Sequence, residues 1–333
     1  MAHWKSYTLG THQLGDDVWA YLQPDGSWGW NNTALLFTGK ASLLVDTTID
    51  IRTTQRMLKD IQDSCNHCES IDNVFLTHWH VDHVHGISAP ELNGCEVIAS
   101  KTCAQYMAQL PPPAWLSAIA GLQEDAKKQM QHLLNDQFDF SDLRYVEPTQ
   151  TFQDSMELNI DGRKVLIVEA GPCHTRSDSI VYIPHAGVVH MGDLVRARHH
   201  IGLQFPFMSN LLKICETACA WNAEFYVPGH GPLMEHKDML DAIEYLHFIQ
   251  DRAKISYEAG KTIHEAFDDL VLNLGSYSEF TGLEGLFFTT RMMYCEFAGD
   301  TQDHARKNYP DYLATQWKLK SSLRSRYPQL FQK

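Results

Sequence analysis

His78-Trp79-His80-Val81-Asp82-His83, directly after the apolar run Val74-Phe75-Leu76, is the stretch that decides the reading of this chain. It holds four potential metal ligands within six residues. Imidazole nitrogen and carboxylate oxygen suit zinc and other first-row divalent metals. If the segment leaves a buried strand and turns sharply, all four side chains converge on a small volume. Gly86 just downstream suits such a turn, because glycine accepts backbone conformations that other residues resist. A histidine-rich surface loop is the bland alternative. It loses weight because further ligands recur downstream in similar settings.

Three later residues stand just after predicted strands. His174 follows Val165 to Glu169 through Ala170-Gly171-Pro172, Asp193 follows Gly187 to Met191 through Gly192, and His230 follows Phe225-Tyr226-Val227 through Pro228-Gly229. Strand ends on one sheet edge are neighbours in space, however distant in sequence. Seven ligands exceed what a single tetrahedral zinc uses. Two metals sharing one carboxylate account for all of them.

With these motifs in order, the sequence resembles the metallo-β-lactamase fold superfamily of hydrolases. Its H-x-H-x-D-H signature is met by His78, His80, Asp82 and His83, and its later ligands by His174, Asp193 and His230. The resemblance covers roughly residues 17 to 235 and implies an α/β fold, an αββα sandwich with the site along one edge of its two sheets. It also implies that His78, His80 and His174 hold one metal and Asp82, His83 and His230 a second, with Asp193 bridging. Asp46, at a strand end, would orient a ligating imidazole; a plain turn or helix-cap role is its alternative. β-Lactamases of the superfamily carry Cys or Ser where this chain has Asp193, so the likeness is to the glyoxalase II, lactonase and phosphotriesterase-like branches. Flavin-dependent diiron relatives usually carry Glu in place of His80, and no flavodoxin-like domain follows.

The resulting expectation is a dinuclear hydrolase in which a metal-bridging hydroxide attacks a carboxylic ester, lactone or thioester. A phosphoester hydrolase on the same site and an iron-dependent oxygenase are the alternatives. Two divalent ions are expected, zinc foremost, with iron or manganese also suited to the donors. Asp82 is a ligand in this scheme and a general base in a mono-metal form. No Gly-x-Ser-x-Gly elbow competes. The loop after Asp193 starts beside the metal edge and offers substrate contacts. Arg196 and His199 are candidates there, with Arg198 another cation for an anionic group. Phe205 and Phe207 would form an apolar wall, joined by Trp115 or Phe138; their alternative is ordinary core. Cys173, beside His174, is either a supporting group around the metals or an inert buried thiol. His85 and His200 read as surface or supporting residues.

Strand, helix and strand alternate over residues 17–100, an α/β layout. A catalytic domain over 1–235 is expected, with a helical insertion over about 101–147 that covers the metal site or packs peripherally. Within it, Pro111-Pro112-Pro113 stops one helix, and Trp115 to Leu134 reads as another with Leu116, Ile119, Leu122 and Ala126 on one stripe. Asp161-Gly162 marks a hairpin. A helical C-terminal extension over 236–333 completes the pocket or forms a homodimer interface, with Leu286, Phe287, Phe288, Met292 and Met293 as its apolar residues.

The composition, 44% hydrophobic and 20% charged with a net charge of -14, is that of an ordinary globular protein that disfavours a polyanionic partner. The expected partner is a small-molecule substrate, not nucleic acid or membrane. Eight cysteines are too few for a disulfide scaffold in 333 residues. The lone pair Cys65 and Cys68 lacks a second pair at zinc-ribbon spacing. Met1-Ala2-His3-Trp4-Lys5 has no apolar stretch of the signal-peptide kind, so a cytoplasmic location is expected.

Overall fold

The computed structural model describes residues 8–23, 26–65, 68–301 and 309–331; the Met1–Lys5 stretch lies outside them. Two mixed sheets stack face to face. The first takes its strands in chain order: β1 (Gly10–Gln13), β2 (Val18–Leu22), β3 (Thr33–Phe37), β4 (Ser42–Val45), β5 (Asn73–Leu76), β6 (Glu96–Ser100) and β7 (Gln150–Phe152). It is antiparallel from β1 to β4 and parallel from β4 to β7. The second runs β13 (Met234–Glu235), β12 (Phe225–Pro228), β11 (Val188–Gly192), β10 (Asp178–Ile183), β9 (Arg163–Gly171) and β8 (Ser155–Ile160). Asp161 and Gly162, both at positive φ, join β8 to β9 as a two-residue hairpin.

Alternation of side chains along each strand builds the layers. Val18, Ala20, Leu36, Leu43, Val45 and Phe75 of the first sheet meet Val165, Ile167, Val181, Val188 and Val227 of the second. The opposite face of the first sheet, with Trp19, Leu35, Leu44 and Val74, packs on Met57, Leu58 and Ile61 of helix α1 (Ile51–Ser64). The outer face of the second sheet carries helices α6 (Met208–Ala220), α7 (His236–Glu258), α8 (Ile263–Leu272) and α9 (Leu283–Phe297). Each layer therefore buries its apolar stripe against a neighbour.

Two expectations are corrected here. The stretch from Trp115 to Leu134 is broken at Gly121 into α4 (Pro112–Ala120) and α5 (Glu124–Leu134), preceded by α3 (Lys101–Gln109). Of the expected stripe, Leu122 and Ala126 are buried in one small cluster with Met130 and Ile119 packs against it, so that part of the stripe spans the break without Leu116. Leu286, Phe287, Phe288, Met292 and Met293 are all buried within the chain's own core. As folded they present no surface to a second copy. The last long helix, α10 (Tyr309–Arg326), lies along α5, with Gln129 Nε2 donating to Gln316 Oε1 at 2.8 Å. Insertion and C-terminal extension thus pack on each other. Among the described residues no helix is long and apolar enough to cross a membrane.

Candidate metal centre

β5 ends at Leu76, and the chain turns through Thr77 to His80 into the short helix α2 (Val81–Val84). That turn aims His78, His80, Asp82 and His83 at one edge of the sandwich. The ends of β9, β11 and β12 deliver His174, Asp193 and His230 to the same place. His78, His80, His174 and Asp193 form one cluster with ligand atoms within 4.8 Å of one another; Asp82, His83 and His230 form a second. Asp193 lies between them: its Oδ1 is 3.2 Å from His83 Nε2, and its Oδ2 is 3.4 Å from both His174 Nε2 and His230 Nε2. Asp82 Oδ2 is 3.2 Å from His230 Nε2.

Hydrogen bonds around the rim fix which nitrogen each imidazole turns inward. Asp46 Oδ2 accepts from His83 Nδ1 at 2.8 Å and from the Thr77 hydroxyl at 2.8 Å, while Asp46 Oδ1 accepts from the Thr77 backbone N–H at 2.7 Å. With its proton committed to Asp46, Thr77 Oγ1 can only accept from His78 Nδ1, 3.0 Å away. His230 Nδ1 is 3.1 Å from the carbonyl of Trp30. In all three rings Nε2 therefore faces the centre. Asp46 holds this arrangement from the left-handed region, at φ 63°, a strained conformation for a residue with a side chain.

The site fits a pair of cations. Among the described residues, His78 Nε2, His83 Nε2 and Asp193 Oδ1 are buried polar atoms without a hydrogen-bond partner, a costly state unless another group satisfies them. All donors are nitrogen and oxygen, which suits zinc, iron or manganese. Burial holds His78 well below the ordinary imidazole pKa and takes His80 down to about 4 and His174 to about 3, leaving neutral ligands. Burial opposes ionisation of Asp82 and Asp193, but His230 and His83, joined at Asp193 by Arg196, outweigh it and keep both carboxyls below the usual range.

Two glycines leave the room this requires. A Cβ at Gly229 would stand 2.0 Å from Asp193 Oδ1, so a side chain there would occupy the place of the carboxylate. A Cβ at Gly86 would stand 2.0 Å from Thr54 Oγ1 and 2.6 Å from the Thr48 carbonyl. Gly86 is thus demanded by close packing against the β4–α1 loop, not by the turn the sequence suggested.

The same architecture recurs in solved structures. A metallo-β-lactamase from Pontibacter korlensis superposes with a TM-score of 0.54 at 18% identity, covering 72% of this chain and 99% of its own. A variant of the sec-alkyl sulfatase PisA1 reaches a TM-score of 0.65 at 14% identity, covering 90% of this chain and 52% of its own. The chain has the metallo-β-lactamase fold. A family model described as Anti-Pycsar protein Apyc1 matches residues 27–176. The Anti-Pycsar protein Apyc1 of Paenibacillus sp. (strain J14) is 34% identical over 122 residues, which are 36% of this chain and 46% of that relative. With its paired His and Asp groups, this metallo-β-lactamase-fold protein is a metal-dependent hydrolase.

Around the metallo-β-lactamase-type edge, the remaining sequence candidates separate. Arg196 stands at the centre, its Nη2 3.1 Å from Asp193 Oδ2. His199 is half-buried, its Nδ1 2.9 Å from Thr281 Oγ1, close enough to Arg196 for that charge to join burial in lowering its pKa to about 3. Arg198 pairs instead with Glu279. Phe205 is only 2% exposed, and it shares with Phe207 the overlying Arg176 guanidinium. As folded Phe205 offers no face to a substrate, contrary to the wall expected of it. Cys173 is fully buried, its Sγ 3.7 Å from the Ala170 carbonyl, and its backbone N–H donates to Asp178. Trp115 is buried edge-on to His85. Phe138 does reach the rim, 5.1 Å from the Trp30 ring.

Sequence reasoning missed Thr77 and the loop Trp28-Gly29-Trp30. The Gly29 N–H approaches Asp82 Oδ2 at 3.3 Å, so this loop touches both Asp82 and His230. Its one legible signal was two tryptophans astride a glycine.

Proposed function

We propose that this protein hydrolyses a phosphodiester of the cyclic-nucleotide class. The likeness to Anti-Pycsar protein Apyc1 carries this reading: the matched residues 27–176 include His78, His80, Asp82, His83 and His174, and that family degrades cyclic nucleotide signals. Arg196 supports it, as a cation beside Asp193 suited to a phosphoryl oxygen. When bound, two divalent cations would polarise the phosphoryl group and lower the pKa of the attacking water. His78, His80 and His174 would hold one cation, Asp82, His83 and His230 the other, with Asp193 shared. Asp46 and Thr77 keep the imidazoles oriented, and the buried setting strengthens each charge interaction. Asp82, held ionised, accepts from Gly29 and donates nothing, which fits a ligand or proton acceptor.

A second reading, hydrolysis of a carboxylic ester, lactone or thioester, is favoured by the apolar rim of Trp28, Trp30 and Phe138. A direct comparison decides between them. The metal-replete protein is incubated with 3′,5′-cyclic nucleotides and with a panel of esters, lactones and thioesters. The proposal expects nucleoside monophosphate as product. Turnover of acyl substrates with intact cyclic nucleotides would contradict it.

A further inference from the structure

α10 brings two phenols beside the loop that carries Arg196 and the cluster on which Trp28 packs. Tyr309 and Tyr312 stand one turn apart at its start, their rings parallel to within 9° and their centroids 6.1 Å apart. Both are half-buried rather than sealed into the core. Tyr312 lies on Phe288 of α9, with ring centroids 4.1 Å apart. Its hydroxyl stands 3.8 Å from where a Cβ on Gly202 would lie, on the loop that carries Arg196. That loop is pinned to the start of α9, with the His200 N–H donating to the Thr281 carbonyl and the Leu203 N–H to Thr289 Oγ1.

Tyr309 and Trp28 pack against the same small cluster of Leu122, Ala126, Met130 and Leu313. Trp28 precedes Gly29, whose N–H points to Asp82. The charges agree with this placement. Burial raises both phenol pKa values; the Asp82 charge adds to the rise at Tyr309, to about 12, and the Arg196 charge acts on Tyr312. Both stay neutral near pH 7, so neither repels an anion.

We propose that Trp28, Tyr309 and Tyr312 form an aromatic subsite over the metal cleft that receives the planar ring system of a nucleoside phosphate, with Arg196 facing its phosphate. The substrate class rests on the phosphodiester reading above; the subsite makes α10 a working part of the active site. Aromatic side chains hold nucleobases by stacking, which tolerates any base because each has a π-face.

Calorimetry on the zinc-loaded full-length protein tests this with adenosine monophosphate and ribose 5-phosphate. The wild type is expected to bind adenosine monophosphate about tenfold more tightly or better. Tyr309→Leu, Tyr312→Leu and Trp28→Leu should each bring it towards ribose 5-phosphate, whereas Tyr309→Phe should keep the preference. Ribose 5-phosphate affinity and zinc content should not change. Equal affinities in the wild type, or no binding of adenosine monophosphate, overturn the subsite whether or not any variant folds. So do leucine variants that keep the preference, or that weaken both ligands in parallel as a purely structural role would. A wild type that prefers adenosine monophosphate yet cleaves no cyclic nucleotide retains the subsite and loses the phosphodiester reading.

Discussion

Thr77 shows how one hydroxyl governs a metal site it does not enter. Its proton goes to Asp46, so its lone pair is left for His78 Nδ1, and the His78 Nε2 lone pair turns inward. Thr77→Val keeps the shape and removes that relay. It should weaken metal binding about 10- to 100-fold, measured by competition with a chromogenic chelator, with the circular dichroism spectrum unchanged. An unaltered affinity would show that the His78 orientation is fixed by packing alone. The ligands themselves were legible in the sequence because imidazoles and carboxylates after apolar runs have few other uses at that density. Asp46 became legible only through the family resemblance. Thr77 was not, since a threonine at a strand end is ordinary and its role depends on a partner 31 positions away. Phe205 misled for a related reason: a lone aromatic reads alike whether it lines a pocket or fills the core.

At the scale of elements, the parallel run β4–β5–β6 and the ends of β9, β11 and β12 place dispersed ligands on one edge. The positions of strands were readable from apolar runs and the Asp161-Gly162 hairpin. The break at Gly121 was not, because residues on both sides carry helix-compatible patterns. What anchors the insertion is also unreadable locally. Asp50 caps α1 by accepting from the Thr53 N–H at 2.6 Å, and its other oxygen accepts from the Asp139 N–H at 2.8 Å. Asp50→Ala removes a cap and the tie to the tail of the insertion. A loss of about 1–2 kcal/mol is expected in urea unfolding. A change under a few tenths would mean that the Asp139 segment is held by the aromatic contacts of Phe138 alone.

The whole molecule buries a histidine in the core between the metal loop and the C-terminal helices. His200 Nδ1 is 2.7 Å from the Tyr245 hydroxyl, Nε2 has no partner among the described residues, and burial lowers the pKa from 6.5 to about 3. The folded chain thus refuses a proton that the unfolded chain accepts. Its contribution is fully present above about pH 6.5 and is lost as the pH falls towards 3, by up to about 1.4 kcal/mol per unit. His200→Gln should flatten the fall in urea midpoint between pH 7 and pH 5; an identical slope would assign the acid sensitivity to other groups. The function of the molecule depends on a larger convergence, in which seven side chains from four separate stretches share one pair of cations. Metal content per chain, measured by inductively coupled plasma mass spectrometry after purification and dialysis against zinc, iron or manganese, tests it most directly. Two equivalents are predicted in the native protein and one or fewer in Asp193→Ala. A native chain that retains no metal, or an Asp193→Ala chain that retains both, would contradict the account.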